Sequence, residues 1–270
     1  MGLSASAKQR LRNRYGTWAV ITGASSGIGR ELANLLATAE FNLVLVARSQ
    51  DALEALAKSL SSAHGIDVVV IQADLSREES WQKVTTETDR LDVGLFIASA
   101  GFGTSGTFGA TDLDTELNML AVNCQALFAH THHFVRKFKE RGRGGIILLS
   151  SMVGFQGVPY AAHYAATKAY VQSLGEALAV ELKQHGIDVL AAAPGPVNTG
   201  FEGRAGMNLG NAMSPVQVAL PILKALGRRG TVLPGFLTKF LVTALRTVPR
   251  WGKVRVMKIV MGGMTKAQRA

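Results

Sequence analysis

The stretch Thr17–Arg30, TWAVITGASSGIGR, decides the fold. Thr17 to Ile21 is a short apolar run that reads as a buried strand. It enters Thr22-Gly23-Ala24-Ser25-Ser26-Gly27-Ile28-Gly29 and then a helix-like run, Arg30 to Ala39. Strand, Gly-rich turn and helix start together form a phosphate cradle. The glycines let backbone approach a pyrophosphate, and the helix N-terminus offers it free N–H groups. Gly23, Ser25, Ser26, Gly27, Ile28 and Gly29 are therefore candidate cofactor-binding residues, spaced G-x-x-x-G-x-G rather than the commoner G-x-G-x-x-G.

Working outward, Asn42 to Ala47 is a second buried strand. Folds that hold NAD usually place a carboxylate at this strand's end for the ribose 2′-OH. Here Ala47 is followed by Arg48 and Ser49, and a guanidinium suits a 2′-phosphate. NADP(H) is the cofactor expected. Ser49 is expected to cap a helix to about Ala63, and Ser76 with Glu79 to form a capping box. Further strands are expected over Asp67–Gln72, which ends near Asp74-Leu75, and over Gly94–Ala98, which leads into Ser99-Ala100-Gly101. Thr111 or Asp112 starts a long helix holding Asn123. Strands over Gly144–Ser150 and Ile187–Ala192 follow, the latter ending in Pro194-Gly195-Pro196-Val197-Asn198-Thr199. Strand and helix alternate throughout. That order calls for a doubly wound parallel sheet of about seven strands, with helices on both faces and ligands beyond the strands' C-terminal ends.

Between the last two of those strands lies Ser151–Lys168, SMVGFQGVPYAAHYAATK. Tyr164 and Lys168 sit at i and i+4 in an Ala-rich run that reads as a helix to about His185, so both face the same way. A phenol titrates near pH 10, and an ammonium one turn away is expected to lower that value. Ser151 ends the fifth strand, facing the pair. The Gly turn, Arg48, Gly101, Ser151 and Pro194 all fall on one rim of the sheet.

With 270 residues, 47% hydrophobic and 18% charged, the chain can bury a sizeable core. One cysteine, Cys124, excludes an internal disulfide framework and suits a reducing compartment. Signal-peptide and transmembrane patterns are not read, and a cytoplasmic location is expected, with peripheral attachment to a membrane surface as an option. No metal site is expected. The net charge of +10 is uneven: after Glu202 there are twelve Lys and Arg and no acidic residue, while the first 202 residues sum to −2.

Taken together, these motifs resemble the short-chain dehydrogenase/reductase family in its short, single-domain branch. The likeness spans roughly Thr17 to Thr199 and continues more weakly to Pro234. It rests on the glycines at 23, 27 and 29, on Asn123, Ser151, Tyr164 and Lys168 in order, and on Pro194-Gly195. The resemblance implies a Rossmann-like fold and oxidoreductase activity between a carbonyl and an alcohol. It implies Tyr164 as general acid in reduction and base in oxidation, with Ser151 bonding the substrate carbonyl. Lys168 would hold the nicotinamide ribose, and Asn123 would hold a water leading to solvent. Ala100 and Gly101 would line the cofactor, Asp74-Leu75 would meet its adenine, and Val197 and Thr199 its carboxamide. Thr199 to Met213 would be a lid, with Phe201 and Met207 joining Ser151, Val153 and Phe155 at the substrate. Homodimers or homotetramers are also implied. The family's usual Asn-Asn-Ala-Gly is here Ala98-Ser99-Ala100-Gly101, and Ser99 is expected to replace part of the lost bracing.

Ser214 and Gln217 flank Pro215 in a capping box for a helix to about Leu226, and Thr231–Leu233 is a candidate seventh strand. Beyond it, Phe236, Leu237, Phe240, Leu241, Ala244, Leu245 and Val248 form one helical stripe, with Thr238, Lys239, Thr243 and Arg246 expected to face away. Trp251 to Met264 mixes Val254, Met257 and Met261 with Lys253, Arg255 and Lys258, just after Arg250. Three readings stand: an interfacial membrane helix, a fold-back over the substrate cleft, or a subunit contact. Nucleic acid is disfavoured, because aliphatics accompany the basic residues instead of stacking aromatics. The expected organisation is a basic N-terminal arm (1–15), a catalytic domain (16–235) and a basic amphipathic helical extension (236–270). The expected activity is NADPH-dependent reduction of an apolar, 3-oxoacyl or sterol-like ketone, or its reverse. An NAD-linked alcohol dehydrogenase and a non-catalytic NADP(H)-binding sensor or scaffold are the alternatives.

Overall fold

A computed structural model describes residues 2–200, 205–206, 210 and 212–265. Seven parallel strands form one sheet in the order β3-β2-β1-β4-β5-β6-β7. They are β1 (Trp18–Thr22), β2 (Asn42–Ala47), β3 (Val68–Gln72), β4 (Val93–Ala98), β5 (Gly144–Leu149), β6 (Ile187–Ala192) and β7 (Thr231–Val232). The winding reverses between β1 and β4, so the loops after these strands diverge and leave a crevice at their C-terminal ends.

Each strand divides its side chains between two cores. In β1, Ala19 and Ile21 face one side and Val20 the other; in β4, Leu95 and Ile97 oppose Phe96 and Ala98. The first core is covered by α2 (Gly27–Ala37), α3 (Gln50–His64) and α8 (Pro215–Ala225), and the second by α4 (Glu78–Thr88), α6 (Leu127–Arg141) and α7 (Ala162–Glu181). Strands buried on both faces are apolar without alternation, which is why the sequence shows them as continuous runs.

Residues 1–15 are more than an arm. Ala5–Tyr15 forms helix α1, capped by the Ser4 hydroxyl, with Leu11 and Tyr15 wholly buried in the first core. Tyr15 donates a 2.7 Å hydrogen bond to Asp188 in β6, which also accepts from Nε and Nη2 of Arg14.

Several local expectations are corrected. Ser49 stands at the N-cap of α3 but makes no capping bond; its side chain lines the crevice instead. The Ser76 hydroxyl turns to Asp74 Oδ1 at 3.0 Å, a local bond that competes with capping, and α4 starts after Arg77. The long helix after Asp112 is not uniform. Between α5 (Leu113–Leu120) and α6, residues Ala121–Ala126 form a π-turn that carries Asn123. The Ser214–Gln217 capping box forms as expected.

The C-terminal extension holds α9 (Phe236–Ala244) and α10 (Arg250–Met264), separated at Pro249. The predicted facing of α9 holds for Lys239, Thr243 and Arg246, which are exposed, and fails at Thr238, Phe236 and Phe240. Thr238 and Val242 are buried, at 3% and 5% exposure, while Phe236 is 84% exposed and Phe240 57%. A Cβ on Gly195 would stand 2.5 Å from Thr238 Oγ1, so the bare glycine is what lets this turn of helix settle on the Pro194–Gly195 bend. Among the described residues no helix is long and apolar enough to cross a membrane.

Candidate active site

The crevice is a cavity of about 630 Å³ that runs from the Gly-rich turn to the inner faces of α9 and α10. At one end, α2 begins at Gly27 with Ser26 making no side-chain bond to its first turn. The helix's first N–H groups therefore stay available beside Gly23, Ser25, Ser26, Gly27, Ile28 and Gly29, which all line the cavity. A Cβ on Gly29 would sit 2.3 Å from the Gly23 carbonyl oxygen, so only glycine permits this close return of the turn. The Thr22 hydroxyl accepts from the backbone N–H groups of Ser99 and Ala100, both at 3.2 Å. It is Thr22, rather than the Ser99 hydroxyl, that links β1 to the β4 loop.

From this turn the wall continues along the ends of β2 and β3, through Arg48 and Ser49 to Asp74 and Leu75. Arg48 is exposed and forms no ion pair with the described residues. Ala100, Gly101, Pro194, Gly195, Val197 and Thr199 complete the groove. The glycine turn, the uncapped helix start and the free cation match the pyrophosphate and ribose end of a dinucleotide. A nicotinamide dinucleotide would lie along these residues.

At the centre stand Ser151, Tyr164 and Lys168. Ser151 follows β5 and caps a short 3₁₀ turn, Met152–Phe155, by accepting from the Val153 N–H at 3.4 Å. Its hydroxyl also hydrogen-bonds the Tyr164 phenol. Met152 N–H reaches the Pro194 carbonyl at 2.9 Å, tying this turn to the β6 loop. Tyr164 and Lys168 share a face of α7 as their spacing predicted; the ammonium lies 5.9 Å from the phenol ring's centroid.

The electrostatics differ from the expectation. Burial pushes the Tyr164 phenol up to about 12, and the hydrogen bond from Ser151 only partly opposes this. Burial also lowers the Lys168 amine to about 8. In this low-dielectric position, desolvation outweighs the attraction that i, i+4 spacing suggested. Lys168 is held by a 2.8 Å hydrogen bond to the Leu149 carbonyl.

Asn123 is wholly buried and does not line the cavity. Its amide donates to the Phe102 carbonyl at 2.9 Å and to Thr167 Oγ1 at 3.0 Å, and its oxygen accepts from Phe102 N–H at 3.1 Å. The π-turn aims it inward, where it joins the loop after β4 to α7. Of the expected substrate contacts, Val153 lines the cavity and Phe155 does not. Phe201 and Met207 lie outside the described residues.

Sequence reasoning did not assign the residues that the C-terminal extension adds to the cavity. Thr238 of α9, Met257, Met261 and Met264 of α10, and Met152 line the same cavity as Tyr164. The i, i+4 spacing of Met257 and Met261 signalled one helix face, but only packing shows what that face covers. The fold-back reading of the extension therefore holds for these inner residues. Chemically, the arrangement sets two hydroxyls, Ser151 and Tyr164, beside an amine in a half-open and largely apolar chamber next to a dinucleotide groove. Such a chamber can polarise a carbonyl and exchange a proton at its oxygen.

The sequence model described as short chain dehydrogenase matches residues 17–209. A 7beta-hydroxysteroid dehydrogenase of Clostridium sardiniense is 31% identical over 236 residues, covering 85% of this chain and 89% of that protein. A very-long-chain 3-oxoacyl-CoA reductase of Podospora anserina is 37% identical over 187 residues, covering 67% of this chain and 54% of that longer protein. Among solved structures, a short-chain dehydrogenase from Sphingobium yanoikuyae in complex with NADPH superposes with a TM-score of 0.78 at 30% identity, covering 86% of this chain and 98% of that one.

Proposed function

The chain belongs to the short-chain dehydrogenase family, and on that premise we propose that it is an NADP(H)-dependent oxidoreductase of a bulky, apolar ketone or the matching secondary alcohol. NAD(P)-linked carbonyl–alcohol chemistry comes with the family; the cofactor preference and the substrate class are the reading added here. One observation carries it. The chamber next to Tyr164 is walled by methionine and aliphatic side chains of α9 and α10, and the opposite end of the same cavity presents the unpaired guanidinium of Arg48. Methionine walls are adaptable, which suits a large hydrocarbon skeleton. Relatives named for a hydroxysteroid and for a 3-oxoacyl-CoA support the same class.

The bound cofactor supplies the hydride. The chain's own residues do the rest. Negative charge grows on the carbonyl oxygen, and the Ser151 and Tyr164 hydroxyls meet it with hydrogen bonds that strengthen as it forms. Tyr164 passes its proton to that oxygen in reduction and takes it back in oxidation. Lys168 would hold the ribose hydroxyls and place a positive charge beside the phenol. Asn123 keeps α7 and the Phe102 loop in register, so it acts by positioning. Thr238 would offer the nicotinamide end a hydroxyl from the extension.

A homo-oligomer is the assembly that this reading carries with it. Leu113, Leu117, Leu120, Phe128 and Tyr170 are exposed apolar residues on α5, α6 and α7 and would suit a subunit contact. The test of the main reading is turnover of a steroid ketone, a 3-oxoacyl thioester and a small ketone, each with NADPH and with NADH. Faster reduction of the large apolar substrates with NADPH is expected. Preference for NADH would return the alternative of an NAD-linked alcohol dehydrogenase. Tight NADPH binding without turnover of any ketone would favour a sensor or scaffold.

A further inference from the structure

Helices α9 and α10 carry apolar side chains on their outer faces as well as on their inner ones. Their inner faces present Thr238, Met257 and Met261 to the cavity. Leu237, Leu241, Val256 and Val260 both line the cavity and reach solvent, with exposures from 38% to 62%, so they form its rim. Beyond the rim, Phe236 is 84% exposed, Phe240 57%, Trp251 65% and Ile259 79%. Phe236 and Phe240 stack on each other at 6.5 Å, and the Arg255 guanidinium lies 5.0 Å from the Trp251 ring. A cluster of exposed apolar residues this dense normally marks an interaction surface.

Charge identifies the occupant. The two helices and the link between them carry Lys239, Arg246, Arg250, Lys253, Arg255 and Lys258, and no Asp or Glu follows Glu202. Apolar and aromatic side chains projecting among unopposed cations are complementary to an anionic lipid interface, where rings sit among acyl chains and cations meet headgroups. A second copy of the same surface would bring like charges together. We propose that the α9–α10 extension is a docking platform that seats the cavity mouth on an anionic bilayer, so that an apolar substrate passes from lipid to Tyr164 without crossing water. The substrate-transfer part rests on the proposed apolar substrate; the docking part does not.

The test is co-sedimentation of the full chain, without cofactor, with vesicles of phosphatidylcholine alone or with about one third phosphatidylserine. Binding to the anionic vesicles is expected, weakening as salt screens the cations. A basic residue at an anionic surface contributes about fivefold to partitioning. Lys239→Gln with Lys258→Gln is therefore expected to weaken binding by about twenty-five-fold, and Phe240→Ser with Ile259→Ser to abolish it. Turnover of a water-soluble ketone is expected to stay unchanged in both variants, which shows that they fold. Equal sedimentation with and without phosphatidylserine would overturn the proposal, as would anionic binding that survives both double substitutions. Self-association that the Phe240/Ile259 variant removes, with no vesicle binding by the parent chain, would assign the face to a second copy and also overturn it. Docking without ketone reduction would leave the platform standing and remove only the proposed reaction.

Discussion

Lys168 Nζ donates a 2.8 Å hydrogen bond to the carbonyl of Leu149, the last residue of β5, while its neighbour one turn back, Tyr164, is bonded to Ser151 just beyond that strand. The end of β5 thus fixes both members of the pair from the same side. Their relative placement comes from a strand and a helix rather than from flexible loops, which favours a constant geometry for proton transfer.

Removing the phenol oxygen tests whether this pair does chemistry. Tyr164→Phe is expected to lower kcat by about a hundredfold to ten-thousandfold, the usual contribution of a positioned acid–base group. Cofactor affinity, followed by fluorescence titration, is expected to hold. A variant that keeps parental kcat would end the assignment.

Burial of Lys168 opposes folding near neutrality. Its amine is lowered to about 8 in the folded chain, against its ordinary value of 10.5. As pH falls from 10.5 to about 8, the unfolded chain takes up a proton that the folded chain resists. The resulting destabilisation is complete below pH 8 and fades as pH rises past 10.5. Lys168→Met is expected to raise the thermal midpoint at pH 7 by several degrees, to gain less at pH 10, and to lose turnover. A lower midpoint at pH 7 would show that the bond to Leu149 outweighs desolvation.

Arg48 is the residue on which cofactor choice is expected to depend. Hydrogen bonds to charged groups contribute about 1.5–3 kcal/mol, so Arg48→Ala is expected to raise KM for NADPH by about tenfold to a hundredfold. KM for NADH is expected to stay as it was. Unchanged discrimination between the two cofactors would refute the 2′-phosphate assignment.

His130 provides an acid limb for stability. It is buried, its ring lies tilted 5.9 Å from that of Phe96, and its Nε2 lies 3.2 Å from the Trp81 carbonyl. Burial lowers it to about 4 from 6.5. Between these values the unfolded chain binds a proton that the folded chain refuses, so stability present above pH 6.5 is lost as pH falls toward 4, by up to about 3 kcal/mol. Chemical denaturation at pH 7 and pH 4.5 measures the loss. His130→Gln is expected to shrink it; an equal loss in that variant would place the acid sensitivity elsewhere.

The sequence by itself determined the order of strands and helices, the glycine turn, the i, i+4 pair and the guanidinium after β2. Each is written in residues close together in the chain, where periodicity and turn chemistry act directly. The π-turn at Asn123 was beyond such reasoning, because the extra residue is stabilised by bonds to Phe102 and Thr167, 21 and 44 positions away. The same holds for the titration of Tyr164 and Lys168. Spacing places an ammonium near a phenol, but how much water reaches them depends on surrounding elements, and here burial sets the sign. The facing of α9 was decided last. Its pattern set Thr238 apart from the apolar stripe and left open what the stripe would meet; the bare Gly195 backbone receives Thr238, and Phe236 and Phe240 point out. Amphipathicity tells a helix that it has two faces; only the surface it lands on determines which one is turned in.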